Sequence, residues 1–198
     1  MTSLGHGGDE PAETHKVELI GTTLRAGGTL SIGGRQRLSD YINALEGFFR
    51  LEQVALYNRT GAPTRVVLPE VRIRLDEVTM VGQARTRRSE AAGSTTTVER
   101  IEKTAQRLVV MTTAHEIYGY VHLHEDSPIT SYVDATYPRF IPMTNVHVRW
   151  LADRRLAGRF DLALLQRSHI IGVATVTGGR GGGRSAIPGG TAGSDVAS

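Results

Sequence analysis

The sequence predicts a mainly β protein: two tandem copies of a small, five-stranded, strongly bent barrel, each with one short helix. Three observations carry that prediction. Short alternating runs are bounded by Gly, Ser, Thr and Asn; the chain is self-similar at a spacing of about 91 residues; and a helical motif occurs twice, as "LSDYIN" at 38–43 and "ITSYVD" at 129–134.

Self-similarity is the organising signal. At an offset of 91, Gly28 falls on Gly119, Leu30 on Val121, Ile32 on Leu123, Tyr41 on Tyr132 and Phe49 on Phe140. One inserted residue then brings Val54 onto Val146 and Leu56 onto Val148, and a shorter loop brings Leu75 onto Leu165, Val81 onto Ile171 and Gly82 onto Gly172. The expected organisation is an N-terminal tail at 1–16, copy 1 at 17–82, a basic linker at 83–107, copy 2 at 108–174 and a Gly-rich tail at 175–198, both tails being disordered.

Each copy opens with a strand, "HKVELIGTT" or "RLVVMTTAH", followed by "GGTLSI" or "GYVHLH". There the period of two puts Leu30 with Ile32, and Val121 with Leu123, on one face. Gly28 and Gly119 allow a bend or a close backbone approach. The motif comes next: Ser39 or Asp40, and Thr130 or Ser131, are candidate helix caps. Leu38, Ile42 and Leu45 share a helical face, matched by Ile129 and Val133, and Pro138 stops the second helix early. Strands resume in "VALYNR" and "VHVRW", and a strand–turn–strand closes each copy ("EVRIRL" with "EVTMVG", "FDLALL" with "HIIGVA"). The helical turn reads as a plug over one end of a small sheet. Closure removes exposed strand edges, and a unit of about 66 residues gains from packing on its twin. A single open sheet running through both copies is the alternative.

Composition narrows the function classes. Apolar residues make up 39% of the 198, enough for real cores, and there is no cysteine, so no disulfide, thiolate metal site or Cys nucleophile. No apolar run of about 18 residues exists, and the N-terminus lacks the basic and apolar regions of a signal peptide; a soluble cytoplasmic protein of bacterial type is expected, without membrane contact. Of the net +3, residues 83–107 supply six bases against three acids, so the excess lies in the linker rather than on a folded face.

The pattern of a Gly-containing strand, Leu38-Ser39-Asp40-Tyr41-Ile42-Asn43, a Phe-x-x-Leu run and a closing Leu-x-x-x-His-Ile-Ile resembles a bacterial family of domains of unknown function that share a Leu-Ser-Asp-x-Leu-Asn segment. More distantly, the strand order and closing hairpin look like Sm-like small barrels. That resemblance covers about 17–82 and 108–174 and implies rings and RNA binding. The N-terminal helix and base-contacting loop asparagine of that class are not recognisable here, and fold analogy alone does not assign function.

His122 and His124, two apart on a strand, leave the same face and with Glu125 or Asp126 could begin a metal site. Copy 1 has Ser31 and Gly33 there, so solvated strand histidines are the plainer reading. Arg85, Arg87 and Arg88 in the linker, with Arg180 and Arg184 in "GGRGGGR", are candidate phosphate contacts; solvated linker and tail charge is the competing reading. Tyr41, Tyr132, Phe48, Phe49, Phe140 and Trp150 are read as packing, and Asp40, Asn43 and Asp134 as capping or turn residues. No nucleotide, hydrolase or zinc-protease motif occurs, and no cofactor is called for. The sequence therefore points to a non-enzymatic binding or scaffolding protein that engages a protein partner or associates with itself. Sm-like RNA binding through the barrels, linker and tail is the second reading.

Overall fold

The computed structural model describes residues 13–33, 36–57, 63–83, 103–124 and 127–176. The first half runs β1 (Glu13–Gly21), β2 (Arg25–Ile32), α1 (Leu38–Ala44), β3 (Phe48–Tyr57), β4 (Pro63–Arg74), a 3-10 turn (Leu75–Glu77) and β5 (Val78–Gln83). The second repeats that succession: β6 (Lys103–Met111), β7 (His115–His124), α2 (Ile129–Asp134), β8 (Phe140–Trp150), β9 (Ala157–Gln166), a 3-10 turn (Arg167–His169) and β10 (Gly172–Thr175). Strands β1 and β6 begin inside the stretches the sequence assigns to tail and linker.

All ten strands join one antiparallel sheet in the order β10-β6-β7-β8-β9-β5-β1-β2-β3-β4, which is open. This corrects the expectation of two closed barrels. Within each half the fifth strand returns to the first, β5 to β1 and β10 to β6. The remaining edge of β5 does not meet its own β4. It takes β9 of the other half, with Met80 opposite Leu165, Val81 opposite Leu164 and Gly82 opposite Ala163. Closure is unnecessary because the second half supplies the missing neighbour.

Each half carries a local irregularity at the same place in the sheet. Gln53 and Asn145 have positive φ, 49° and 50°, and interrupt the pairing of β2 with β3 and of β7 with β8. Opposite them stand Gly28 and Gly119. A Cβ on Gly28 would lie 3.0 Å from the Glu52 carbonyl oxygen, and one on Gly119 3.2 Å from that of Thr144. The strands approach that closely only over glycine.

Register also corrects the repeat alignment. Thr29 pairs with Glu52 and Tyr120 with Thr144, so the offset is already 92 at the start of the third strand. Phe48 therefore corresponds to Phe140, and Phe49 to Ile141. Because Leu19 faces Val81 and Val110 faces Val173, the final strands also correspond at 92: Val81 to Val173 and Gly82 to Ala174. The caps differ from expectation too. Arg37 and Pro128 precede the helices, and neither makes a side-chain cap bond.

Two cores result, and each borrows from the other half. The first is built on Leu19, Leu30, Ile42, Phe49, Leu51 and Val81 and includes Phe140 and Leu164. The second, around Leu108, Val121, Met143 and Leu165, includes Ile20 and Met80. Strands β5 and β9 are buried on both faces at the seam, which is why Val78–Gly82 and Ala163–Gln166 are continuously buried.

Candidate functional site

The seam shows how the first half receives a neighbour. Phe140 lies fully buried in the first core, edge to face with Phe49 at 6.1 Å between ring centres. Asn43, in the last turn of α1, fixes the Phe140 backbone from both sides: its Nδ2 donates to the Phe140 carbonyl at 3.2 Å and its Oδ1 accepts from the Phe140 N–H at 2.8 Å. Nδ2 also donates to the Ser39 carbonyl at 2.9 Å, which holds the amide in place. Gln166, oriented by the groups around it, donates to the Leu75 and Val78 carbonyls at 2.8 and 2.5 Å. His169 reaches the Asp76 carbonyl at 2.8 Å and Thr79 Oγ1 at 3.5 Å.

At the far side of the seam Arg25 lies between Tyr57 and Trp150, its guanidinium carbon 4.6 and 5.0 Å from the ring centres, and its Nε donates to Glu18. These contacts floor a cleft of about 850 Å³ that Thr22, Leu24, Asp153 and Leu156 also line. Its cation is already paired, so this cleft ties the halves together. Behind Trp150 sits His115, buried, at 5.2 Å between ring centres. Burial, reinforced by the nearby His169, lowers its pKa from 6.5 to about 4, which keeps the imidazole neutral.

Among the described residues, no strand or side chain of the other half fills the equivalent place in the second half. Helix α2 and strand β10 flank a groove of about 560 Å³ lined by Ile129, Thr130, Val133, Asp134 and residues 170–175. In α1 the matching Leu38 and Ile42 are buried, whereas α2 buries no residue. Ile171 is 68% exposed and Met111 48%; Ile20, to which Met111 corresponds, is 0%. Arg167 holds α2 here: it donates to the Tyr132, Val133 and Pro138 carbonyls and lies over the Tyr132 ring. Leu75 is its apolar counterpart in the first half. The second helix is thus braced but only partly covered, beside a strand whose pairing among the described residues is with β6 alone.

The residues singled out from sequence fall elsewhere. His122 and His124 share a face and are exposed, as the alternation requires; His122 Nε2 lies 2.9 Å from Thr144 Oγ1. Glu125 and Asp126 lie outside the described residues, and among the described residues no group of three His, Asp or Glu could hold a metal. Arg85, Arg87, Arg88, Arg180 and Arg184 lie outside the described residues. Of the aromatic residues read as packing, Phe49 and Phe140 are buried, while Phe48 is 53% exposed. Asn43, read as a turn residue, is the clamp between the halves. Its partner is 97 residues away, so no local pattern could have revealed it. Among the described residues no helix is long and apolar enough to cross a membrane. No family model, no curated protein and no solved structure matches the chain.

Proposed function

We propose that the chain is a non-enzymatic binding or scaffolding protein whose working surface is the groove between α2 and β10. One observation carries this reading: the same place on the first half, between α1 and β5, is occupied by a strand and a buried phenylalanine. Adding a strand to an exposed edge supplies main-chain hydrogen bonds, and an adjoining apolar groove supplies selectivity. The groove lining carries one ionisable side chain, Asp134, which favours docking over acid–base chemistry. The ligand class is therefore an extended protein segment presenting a bulky apolar side chain.

A fluorescent peptide with the β9 sequence, residues 159–167 (RFDLALLQR), tests the reading. It should bind the chain with a saturable rise in anisotropy, at a Kd of about 1 mM or below. Ile171→Asp and Val133→Asp, on exposed or half-exposed positions, should abolish the rise without changing the circular dichroism spectrum. Saturable binding that both variants leave untouched would place the ligand elsewhere and reject the groove, as would no binding at all.

A further inference from the structure

By register, the segment that fills the seam has a counterpart in the first half, at the far end of the sheet from the groove. The segment that fills the seam comprises Phe140, Ala163, Leu164, Leu165 and Gln166. By register its counterparts in the first half are Phe48, Val71, Arg72, Ile73 and Arg74. These lie along β3 and β4, and β4 is the last strand of the sheet order, with no further strand paired to Val71–Arg74 among the described residues. Phe48 stands 53% exposed where Phe140 is buried.

We propose that the occupant of the groove is the β4 edge of a second copy of this chain, so that copies join head to tail by repeating the β5–β9 seam. The inference rests on the reading of the groove as a docking site and adds what docks there. The seam fixes the register. Met80–Leu165, Val81–Leu164 and Gly82–Ala163 become Gly172–Ile73, Val173–Arg72 and Ala174–Val71. Phe48 enters between α2 and β10 as Phe140 enters between α1 and β5. Met111 and Ile171 gain cover from the incoming edge.

The side chains that differ from the seam differ in a complementary way. Asp134 stands where Asn43 does, and a carboxylate can only accept. On the donor side Arg72 replaces Leu164 opposite Val173, bringing a cation to the side that carries Asp134. Arg74 replaces Gln166, whose amide donates to the Leu75 and Val78 carbonyls; a guanidinium donates equally to the matching carbonyls of Arg167 and Ile170. The exposed pairs of Arg50 and Arg72 with Glu70, and of Arg74 with Asp76, are cheap to exchange for new partners. A contact between two different surfaces propagates, closing into a ring or running on as a filament according to its rotation.

Sedimentation velocity of the full chain, up to about 0.1 mM, should show concentration-dependent oligomers. Phe48→Asp spoils the donor end and Ile171→Asp the receiving end; both positions are exposed, so both variants should fold, and each should associate about tenfold more weakly or worse. Mixed together they should form a heterodimer and nothing larger, because each retains one sound end. Since the chain has no cysteine, Val71→Cys with Ala174→Cys reports register directly: oxidation should link residue 71 of one copy to residue 174 of the next. A monomer throughout the concentration range overturns the proposal, and so does oxidation that links residue 174 only to residue 174. If the chain is monomeric while the β9 peptide still binds the groove, only this inference falls; if neither associates, the docking reading falls with it.

Discussion

The α1–β5 seam and the α2–β10 end are the same piece of architecture in two conditions, one covered and one open. Both place a short helix beside the fifth strand of a five-strand unit, and both offer that strand's free edge. At the seam the helix face is buried and its last polar residue grips the neighbour's backbone. At the open end the helix is tethered by Arg167, its apolar residues are half exposed, and Asp134 has replaced the amide. The comparison teaches that the two halves share one backbone arrangement, while the side chains around it differ between the covered end and the uncovered one.

The largest expected effect lies in the filled site. Phe140→Ala should destabilise the chain by about 4 kcal/mol, the usual cost of emptying an aromatic site in a core. Phe48→Ala, at the matching exposed position, should change stability by about 0.5 kcal/mol or less. Urea denaturation of both variants measures the contrast, and equal effects would break it.

The other side of the seam gives a pH signature. His115 is held neutral, with a pKa near 4 against an ordinary 6.5. Below 6.5 the unfolded chain takes up a proton that the folded chain refuses until about pH 4. Stability should therefore be complete above 6.5 and fall as pH drops, losing about 3 kcal/mol from this group by pH 4. Denaturation midpoints between pH 4 and 7.5 trace the fall, and His115→Phe should remove this group's share of it. A wild-type slope unchanged in the variant would mean that the Trp150 side of the seam is not what acid loosens.

Much of the fold was legible because strands and helix faces announce themselves through period. Alternation placed Val121 and Leu123 inward and His122 and His124 outward, and the spacing of Leu38 and Ile42 marked the buried face of α1. Glycines 28 and 119 marked the close approach. What a strand edge pairs with is not written in alternation, because backbone N–H and C=O groups are alike in every residue; hence closed barrels were expected and an open sheet found. One signal was present. "LALL" in β9 is continuously apolar where "VRIR" in β4 alternates with charge, and an unbroken apolar run marks a strand covered on both faces. The groove between α2 and β10 left no such trace, since Ile129 and Val133 are as apolar as the buried Leu38 and Ile42 and differ from them in how much covers them.

A smaller effect is expected where β5 passes the Phe160 ring. A Cβ on Gly82 would fall 2.4 Å from ring carbons, so Gly82→Ala should cost about 2 to 3 kcal/mol through overpacking. Ala174, its counterpart on the open strand, already carries that Cβ and is exposed. Enlarging it by Ala174→Val should be close to neutral in thermal unfolding. If the two substitutions cost the same, β10 is as confined as β5 and its outer edge is covered.

The smallest effect probes the clamp itself. Asn43→Ala removes the acceptor of the Phe140 N–H and the donor to its carbonyl while leaving Leu38 and Ile42 in place. Three part-buried hydrogen bonds, with the Phe140 N–H, the Phe140 carbonyl and the Ser39 carbonyl, amount to about 2 kcal/mol, and the Phe140 amide should lose its protection from hydrogen exchange ahead of the core amides. Asp134→Ala, at the matching place on α2, should leave monomer stability unchanged within about 0.5 kcal/mol, because the Asp134 side chain has no neighbouring half to grip. The pair of measurements separates two accounts of the α helices. If both substitutions destabilise, the residue is a helix-stabilising feature common to both copies. If only Asn43→Ala does, the side chain at that position serves the interface, and its change to aspartate records that the second half presents its interface outward.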